Sequence, residues 1–157
     1  MIIDTVTLKD LDEIYNLERK SFKKDSFSKD LILSLIIKNT YFFKLIDDEL
    51  SNNIIGFIII IQDREERVNM INFLIRKGER KRGYGSLLLR YTLSKVKALD
   101  KIKTIVLNVN SQNKTAISLY QKFDFQIVQR IENYYRDKQS AYLMILNIKS
   151  FSKNQDL

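Results

Sequence analysis

An apolar run, Val68–Ile75, leads directly into the loop Arg76–Gly85, read RKGERKRGYG, and then into a helical run, Ser86–Val96. That order confines the chain. A strand must stop, turn through a basic loop that ends on Gly83 and Gly85, and start a helix. A helix N-terminus leaves its first N–H groups unpaired and carries the positive end of the helix dipole. Glycine there lets the main chain approach an anion, and five basic residues in the loop add charge. The segment reads as a seat for a phosphate-bearing ligand within an α/β fold.

The flanking pattern agrees. Ile2–Val6 reads as a short strand. Thr7 with Asp10 resembles an N-cap, followed by Leu8, Leu11, Ile14, Tyr15 and Phe22 at helical spacing. Ser28 is suited to cap a second helix carrying Leu31, Leu35 and Ile36. Tyr41–Ile46, Ile54–Ile61 and Val68–Ile75 read as strands joined by the polar turns Asp47–Asn53 and Asp63–Arg67, which predicts an antiparallel meander. The helix after the basic loop places Leu87, Leu88, Tyr91 and Val96 on its inner face, and Thr104–Val109 follows as a strand, predicting a parallel crossover. Asn113–Phe123 reads as a further helix with Ala116, Ile117 and Tyr120 on one face. Phe125–Ile131 and Ala141–Ile148 complete the strands. One α/β domain over 1–149 with a polar tail at 150–157 is expected.

At 157 residues the chain is long enough to bury about 70% of its unfolded surface. It holds no cysteine and no histidine. Disulfides, thiolate zinc sites, a cysteine nucleophile, a Ser-His triad and the commonest metal ligand are thereby excluded. Chemistry must come from Tyr, Asp, Glu, Lys, Ser, Asn or the backbone, and no metal is expected. A net charge of +8 favours an anionic partner: a phosphorylated cofactor, an acidic protein or nucleic acid. The N-terminus lacks an export pattern and Ile54–Ile61 is too short to span a membrane, so a cytoplasmic protein with no membrane partner is expected.

Two blocks carry a family resemblance. Arg80-Lys81-Arg82-Gly83-Tyr84-Gly85 is similar to the Arg/Gln-x-x-Gly-x-Gly/Ala loop of the GNAT acetyltransferase superfamily, and Leu107–Tyr120 resembles that superfamily's strand, loop and helix with Asn, Ala and Tyr in place. The resemblance implies a mixed central sheet of about six to seven strands flanked by about four helices, with acetyl-coenzyme A as cosubstrate. It also implies that residues 80–85 and Ser86 hold the pyrophosphate. Phe73, Leu74 and Ile75 then lie along the pantetheine arm with a backbone N–H polarising the thioester, and Asn113 and Lys114 lie near pantetheine or phosphate. Tyr120 matches the general acid that protonates the departing sulfur. Read alone, Tyr120 is foremost a core tyrosine on an amphipathic helix, and Asn113 is simply an N-cap, a role compatible with contact to the cofactor.

Within the superfamily, Asn133-Tyr134-Tyr135 with Ala141 and Met144, and Glu18-x-x-x-Phe22, resemble the branch that acetylates protein N-termini, which includes the RimI-like ribosomal-protein alanine acetyltransferases. A peptide N-terminus as substrate and association with the ribosome follow as implications, with Glu18, Phe22, Tyr134 and Tyr135 lining the substrate groove. For the two tyrosines the alternative is a strand pair, one ring in and one out. For Glu18 it is a solvent-facing helical glutamate rather than a base acting through water.

Asn108 departs from the pattern, because RimI-like enzymes place a glutamate base there. Asparagine accepts hydrogen bonds but takes no proton. An α-amine is about one-tenth neutral at pH 7, whereas a lysine amine is neutral only about 0.04% of the time, a difference of about 3.5 kcal/mol. Asn108 therefore points to α-amine substrates. Lys77 replaces a proline, and Asp124 a glycine, at a position that often needs positive φ. Competing readings are transfer to lysine or a small amine, a coenzyme A sensor without turnover, and nucleic-acid binding. The last is disfavoured because aromatic residues do not interleave with the basic run.

Overall fold

The computed structural model describes residues 1–49 and 53–148, so the expected tail at 150–157 lies outside the described residues. Seven strands form one mixed sheet: β1 (Ile2–Thr5), β2 (Tyr41–Ile46), β3 (Ile54–Arg64), β4 (Arg67–Ile75), β5 (Thr104–Asn110), β6 (Gln126–Ile131) and β7 (Ala141–Asn147), in the order β1-β2-β3-β4-β5-β7-β6. Four α-helices, α1 (Leu11–Phe22), α2 (Lys29–Lys38), α3 (Tyr84–Lys97) and α4 (Lys114–Lys122), complete it with three short 3-10 turns. The expected meander β2-β3-β4 is antiparallel, and the crossover through α3 makes β4 and β5 parallel.

The sheet has a core on each face. On one face, Ile14 and Leu17 of α1 and Ile32 and Leu35 of α2 pack on Phe42, Phe57, Ile59 and Leu74. On the other, Leu88, Leu89, Leu93 and Val96 of α3 and Tyr120 of α4 pack on Ile58, Ile60, Met70, Leu107 and Met144. The capping residues read from sequence stand where expected. Thr7 and Asp10 form a capping box, the Ser28 side chain accepts from Leu31 N–H, and Asn113 Oδ1 accepts from Ala116 N–H at 3.1 Å.

Several expectations are corrected. Leu87 is 45% exposed; the buried stripe of α3 is Leu88, Leu89, Thr92, Leu93 and Val96, and Leu87 lies about 100° to one side of it. The β3–β4 turn is tighter than Asp63–Arg67, because Arg64 pairs with Arg67. The Arg67 guanidinium grips Asp63 at 2.9 and 2.8 Å and keeps the polar ends of both strands zipped. Strand β1 stops at Thr5, and β6 starts at Gln126 because Phe125 turns into the core behind α4.

One irregularity positions the site. Ile59 pairs with Asn72 but Ile60 pairs with Met70, so Ile71 is an extra residue on β4. Side chains alternate along a strand, and one added residue exchanges the faces. Met70 therefore sits in the α3 core while Leu74 sits in the α1 core, and Asn72 meets Glu18 of α1. Beyond this bulge β4 and β5 part: they pair only from Arg67–Thr104 to Met70–Leu107.

Candidate functional site

A cleft of 940 Å³ opens where β4 and β5 separate, and it reaches from Phe73 and Tyr120 to Glu18, Asn108 and Tyr134. Past Met70 the β5-facing edge of β4 has no strand partner, so main-chain groups of Ile71–Ile75 are left to meet a ligand. Phe73 lines the cleft, whereas Leu74 points into the α1 core, so only its backbone is available there. Ile75 is half-buried, and its carbonyl accepts from Arg80 Nε at 3.0 Å.

The basic loop ends in the left-handed region twice, at Lys81 (φ 64°) and Gly83 (φ 81°). The first helical bond of α3 is donated by Leu87 N–H to Gly83 C=O at 3.0 Å. The N–H groups of Tyr84, Gly85 and Ser86 therefore lack an intrahelical acceptor. No side chain caps this end and no acidic residue lies in its first turn. A Cβ on Gly85 would come within 3.3 Å of Leu119 Cδ2 and 3.8 Å of Phe73 Cζ, so the loop is pressed against α4 and β4. Arg80 lines the cleft, while Arg82 is turned to Glu79 at 2.7 Å and Lys81 is exposed. Asn113 and Lys114 are exposed at the start of α4, with Asn113 acting as its cap.

Tyr120 is 7% exposed, between the rings of Phe73 (6.3 Å) and Phe125 (5.8 Å), and lines the cleft. Burial, and then the nearby Tyr135 hydroxyl, push its acidity well below that of an ordinary phenol. Across the splay, Glu18 is buried and accepts from Phe27 N–H at 2.9 Å and from Asn72 Nδ2 at 2.8 Å. The solvent-facing reading of Glu18 is thus overturned. Burial raises its carboxyl above the usual range, and these two hydrogen bonds only partly offset that. Phe22, the last residue of α1, lines the same cleft.

Tyr134 and Tyr135 lie after the end of β6, not on a strand. Both of their N–H groups donate to Gln139 C=O, and their rings meet edge to face at 4.9 Å. Asn108 Nδ2 donates to the Tyr134 hydroxyl at 3.2 Å. Burial, and then Tyr134, push the Tyr135 hydroxyl up to about 12. Arg136 N–H donates to Asp25 Oδ1 at 3.1 Å and ties the β6–β7 loop to the segment after α1. Among the described residues no group of His, Cys, Asp and Glu is arranged to hold a metal, and no helix is long and apolar enough to cross a membrane.

Residues 9–125 match the Acetyltransferase (GNAT) family. The chain belongs to this family. It is an N-acetyltransferase. It is 29% identical over 153 residues, 90% of this chain and 89% of the relative, to an N-alpha-acetyltransferase of Sulfolobus acidocaldarius. The fold is similar to the ribosomal-protein-S18-alanine N-acetyltransferase from Escherichia coli, with a TM-score of 0.83, 22% identity and 99% of each chain covered. It is also similar to Arabidopsis thaliana NAA60 in complex with acetyl-CoA, with a TM-score of 0.83, 18% identity, and 94% and 99% covered.

Within this GNAT domain the sequence reading missed Asn72. Its neighbours Ile71, Phe73 and Leu74 are apolar, and by alternation with Val68 and Met70 it belongs to the α3 core. Its one available signal was a second asparagine, after Asn69, in a largely apolar strand, and the bulge at Ile71 is what turns it into the cleft.

Proposed function

We propose that the protein transfers an acetyl group from acetyl-coenzyme A to the α-amine of a protein N-terminus. The observation that carries this reading is the cleft through the split sheet, with an uncapped helix start and Tyr120 on one side and Asn108, Tyr134 and Tyr135 on the other. The named N-alpha-acetyltransferase relative and the acetyl-CoA complex of a structural neighbour support it.

The residues fit the cosubstrate. Free N–H groups of Tyr84, Gly85 and Ser86 at the positive end of α3 suit a diphosphate, with Arg80 beside them. Bound acetyl-coenzyme A supplies an activated thioester carbonyl. The unpaired β4 edge at Phe73–Ile75 offers main-chain hydrogen bonds to the extended arm and to the developing oxyanion. Buried Tyr120 is protonated before transfer and donates an O–H hydrogen bond toward the leaving sulfur. Asn108 and Tyr134 orient the amine but abstract no proton, which favours an amine already neutral near pH 7. As the new amide C–N bond forms and the C–S bond breaks, Tyr120 passes its hydroxyl proton to the sulfur, and the proton released by the amine nitrogen goes to solvent water, from which Tyr120 is reprotonated. The protein N-terminus that is acetylated, and any docking on the ribosome, belong to the same proposal.

Incubation with acetyl-coenzyme A and one peptide in two forms, free or N-formylated, tests the reading. The free peptide is expected to be acetylated and the formylated one not. Equal acetylation of both, or of neither, would overturn it.

A further inference from the structure

The α1 side of the cleft holds two amide acceptors that no protein donor among the described residues reaches. Among the described residues, the buried side-chain polar atoms without a hydrogen-bond partner are Asn72 Oδ1 and Asn108 Oδ1. Both side chains line the same cleft, one on each strand bordering the split. Asn72 is only 8% exposed, and a buried acceptor without a donor is disfavoured unless a ligand or water completes it.

Glu18 fixes the orientation of Asn72. A carboxylate only accepts, so Asn72 must turn its NH2 toward Glu18 Oε2, at 2.8 Å, and its Oδ1 is left over. The other carboxylate oxygen is committed to Phe27 N–H at 2.9 Å. Asn108 likewise spends its NH2 on the Tyr134 hydroxyl at 3.2 Å. The result is a pair of neutral acceptors whose NH2 groups each already donate one hydrogen bond elsewhere.

A neutral primary amine carries two N–H bonds and one lone pair. We propose that Asn72 Oδ1 and Asn108 Oδ1 receive the two N–H bonds of the incoming α-amine, leaving its lone pair free to face the split between β4 and β5. Asn72 is then a substrate-binding residue, and Glu18 is a positioning residue that acts through it. Amide oxygens hold the nitrogen without stabilising its charged form as a direct carboxylate would. This inference rests on the α-amine reading and adds the groups that seat the amine.

Glu18→Gln tests it. Glutamine can donate its own NH2 to Asn72 Oδ1, filling the free acceptor while keeping shape and an acceptor for Phe27. Binding of an unacetylated tripeptide to protein saturated with coenzyme A is measured by calorimetry, beside steady-state kinetics. The variant is expected to bind the tripeptide about tenfold more weakly, to show a matching rise in peptide KM, and to keep its coenzyme A affinity. The N-acetylated tripeptide is expected to bind wild type poorly. Equal tripeptide affinity in wild type and variant, or tight binding of the blocked tripeptide, would overturn the inference. Asn108→Leu reads the same peptide-only loss from the other strand, should Glu18→Gln not fold. Wild type that binds the free tripeptide in this way yet transfers nothing would sink the α-amine reading alone. Transfer that Glu18→Gln leaves at the wild-type peptide KM would sink this inference alone.

Discussion

At the residue scale, the proposed mechanism gives Tyr120 and Asn108 opposite duties. Tyr120 is buried and neutral, so Tyr120→Phe is expected to lower kcat by about 10²-fold while leaving coenzyme A binding unchanged by calorimetry. Equal loss of both would assign Tyr120 to packing. Because burial weakens Tyr120 as an acid, it stays protonated throughout the working range. The rate should therefore rise with pH as the substrate amine loses its proton, level off past about pH 8 and show no alkaline fall below about pH 10. A pH–kcat/KM profile checks this. Glu18 gives a second sign. Its carboxyl is raised in the folded state, so the folded protein holds that proton more readily than the unfolded chain. Ionising it is unfavourable to folding at neutral pH, and that penalty is absent below the ordinary carboxylate range. Glu18→Gln should then melt no lower than wild type at pH 7. The places of Tyr120 on α4 and Asn108 on β5 were legible in sequence because the strand, loop and helix around them run without interruption. Asn72 was not, because its direction depends on a bulge that alternation does not reveal.

At the element scale, the two glycines Gly56 and Gly83 separate close approach from conformation. A Cβ on Gly56 would lie 2.4 Å from Leu74 C=O and 2.5 Å from Ile75 Cδ1, where β3 meets β4 below the site. Gly56→Ala is expected to destabilise by about 1–3 kcal/mol, read by denaturant unfolding. Gly83 has open space around it but needs φ 81°. Gly83→Ala should destabilise by only about 1–2 kcal/mol, with a weaker affinity for coenzyme A as its main effect. The start of α3 was readable from its glycines and basic residues, and the caps Thr7, Ser28 and Asn113 marked the other helices. The buried face of α3 was misread at Leu87, since a run of three leucines, Leu87–Leu89, does not say which of them faces the sheet. The β3–β4 turn was misread because the Arg67–Asp63 ion pair extends both strands through polar residues.

At the scale of the whole molecule, the proposed function divides the labour of the split sheet. On that reading the α3 and α4 side offers helix starts and cations to an anionic cosubstrate, and the α1 side with the β6–β7 loop offers acceptors and tyrosine rings to a peptide. The net charge of +8 favours the cosubstrate's approach, so the KM for acetyl-coenzyme A should climb as salt is raised from about 0.05 to 0.5 M. The sheet order follows from connections visible in sequence: short turns for the meander, a helix for the crossover. The parting of β4 and β5 does not, because β5 runs on as a regular strand paired with β7 through Asn110, past the point where its pairing with β4 ends. The central claim is that this divided cleft delivers acetyl to an α-amine. Its most direct test is one peptide bearing both a free N-terminus and an internal lysine, incubated with isotopically labelled acetyl-coenzyme A and sequenced by mass spectrometry. The label is expected on the N-terminal nitrogen; label on the lysine side chain, or none at all, would contradict the claim.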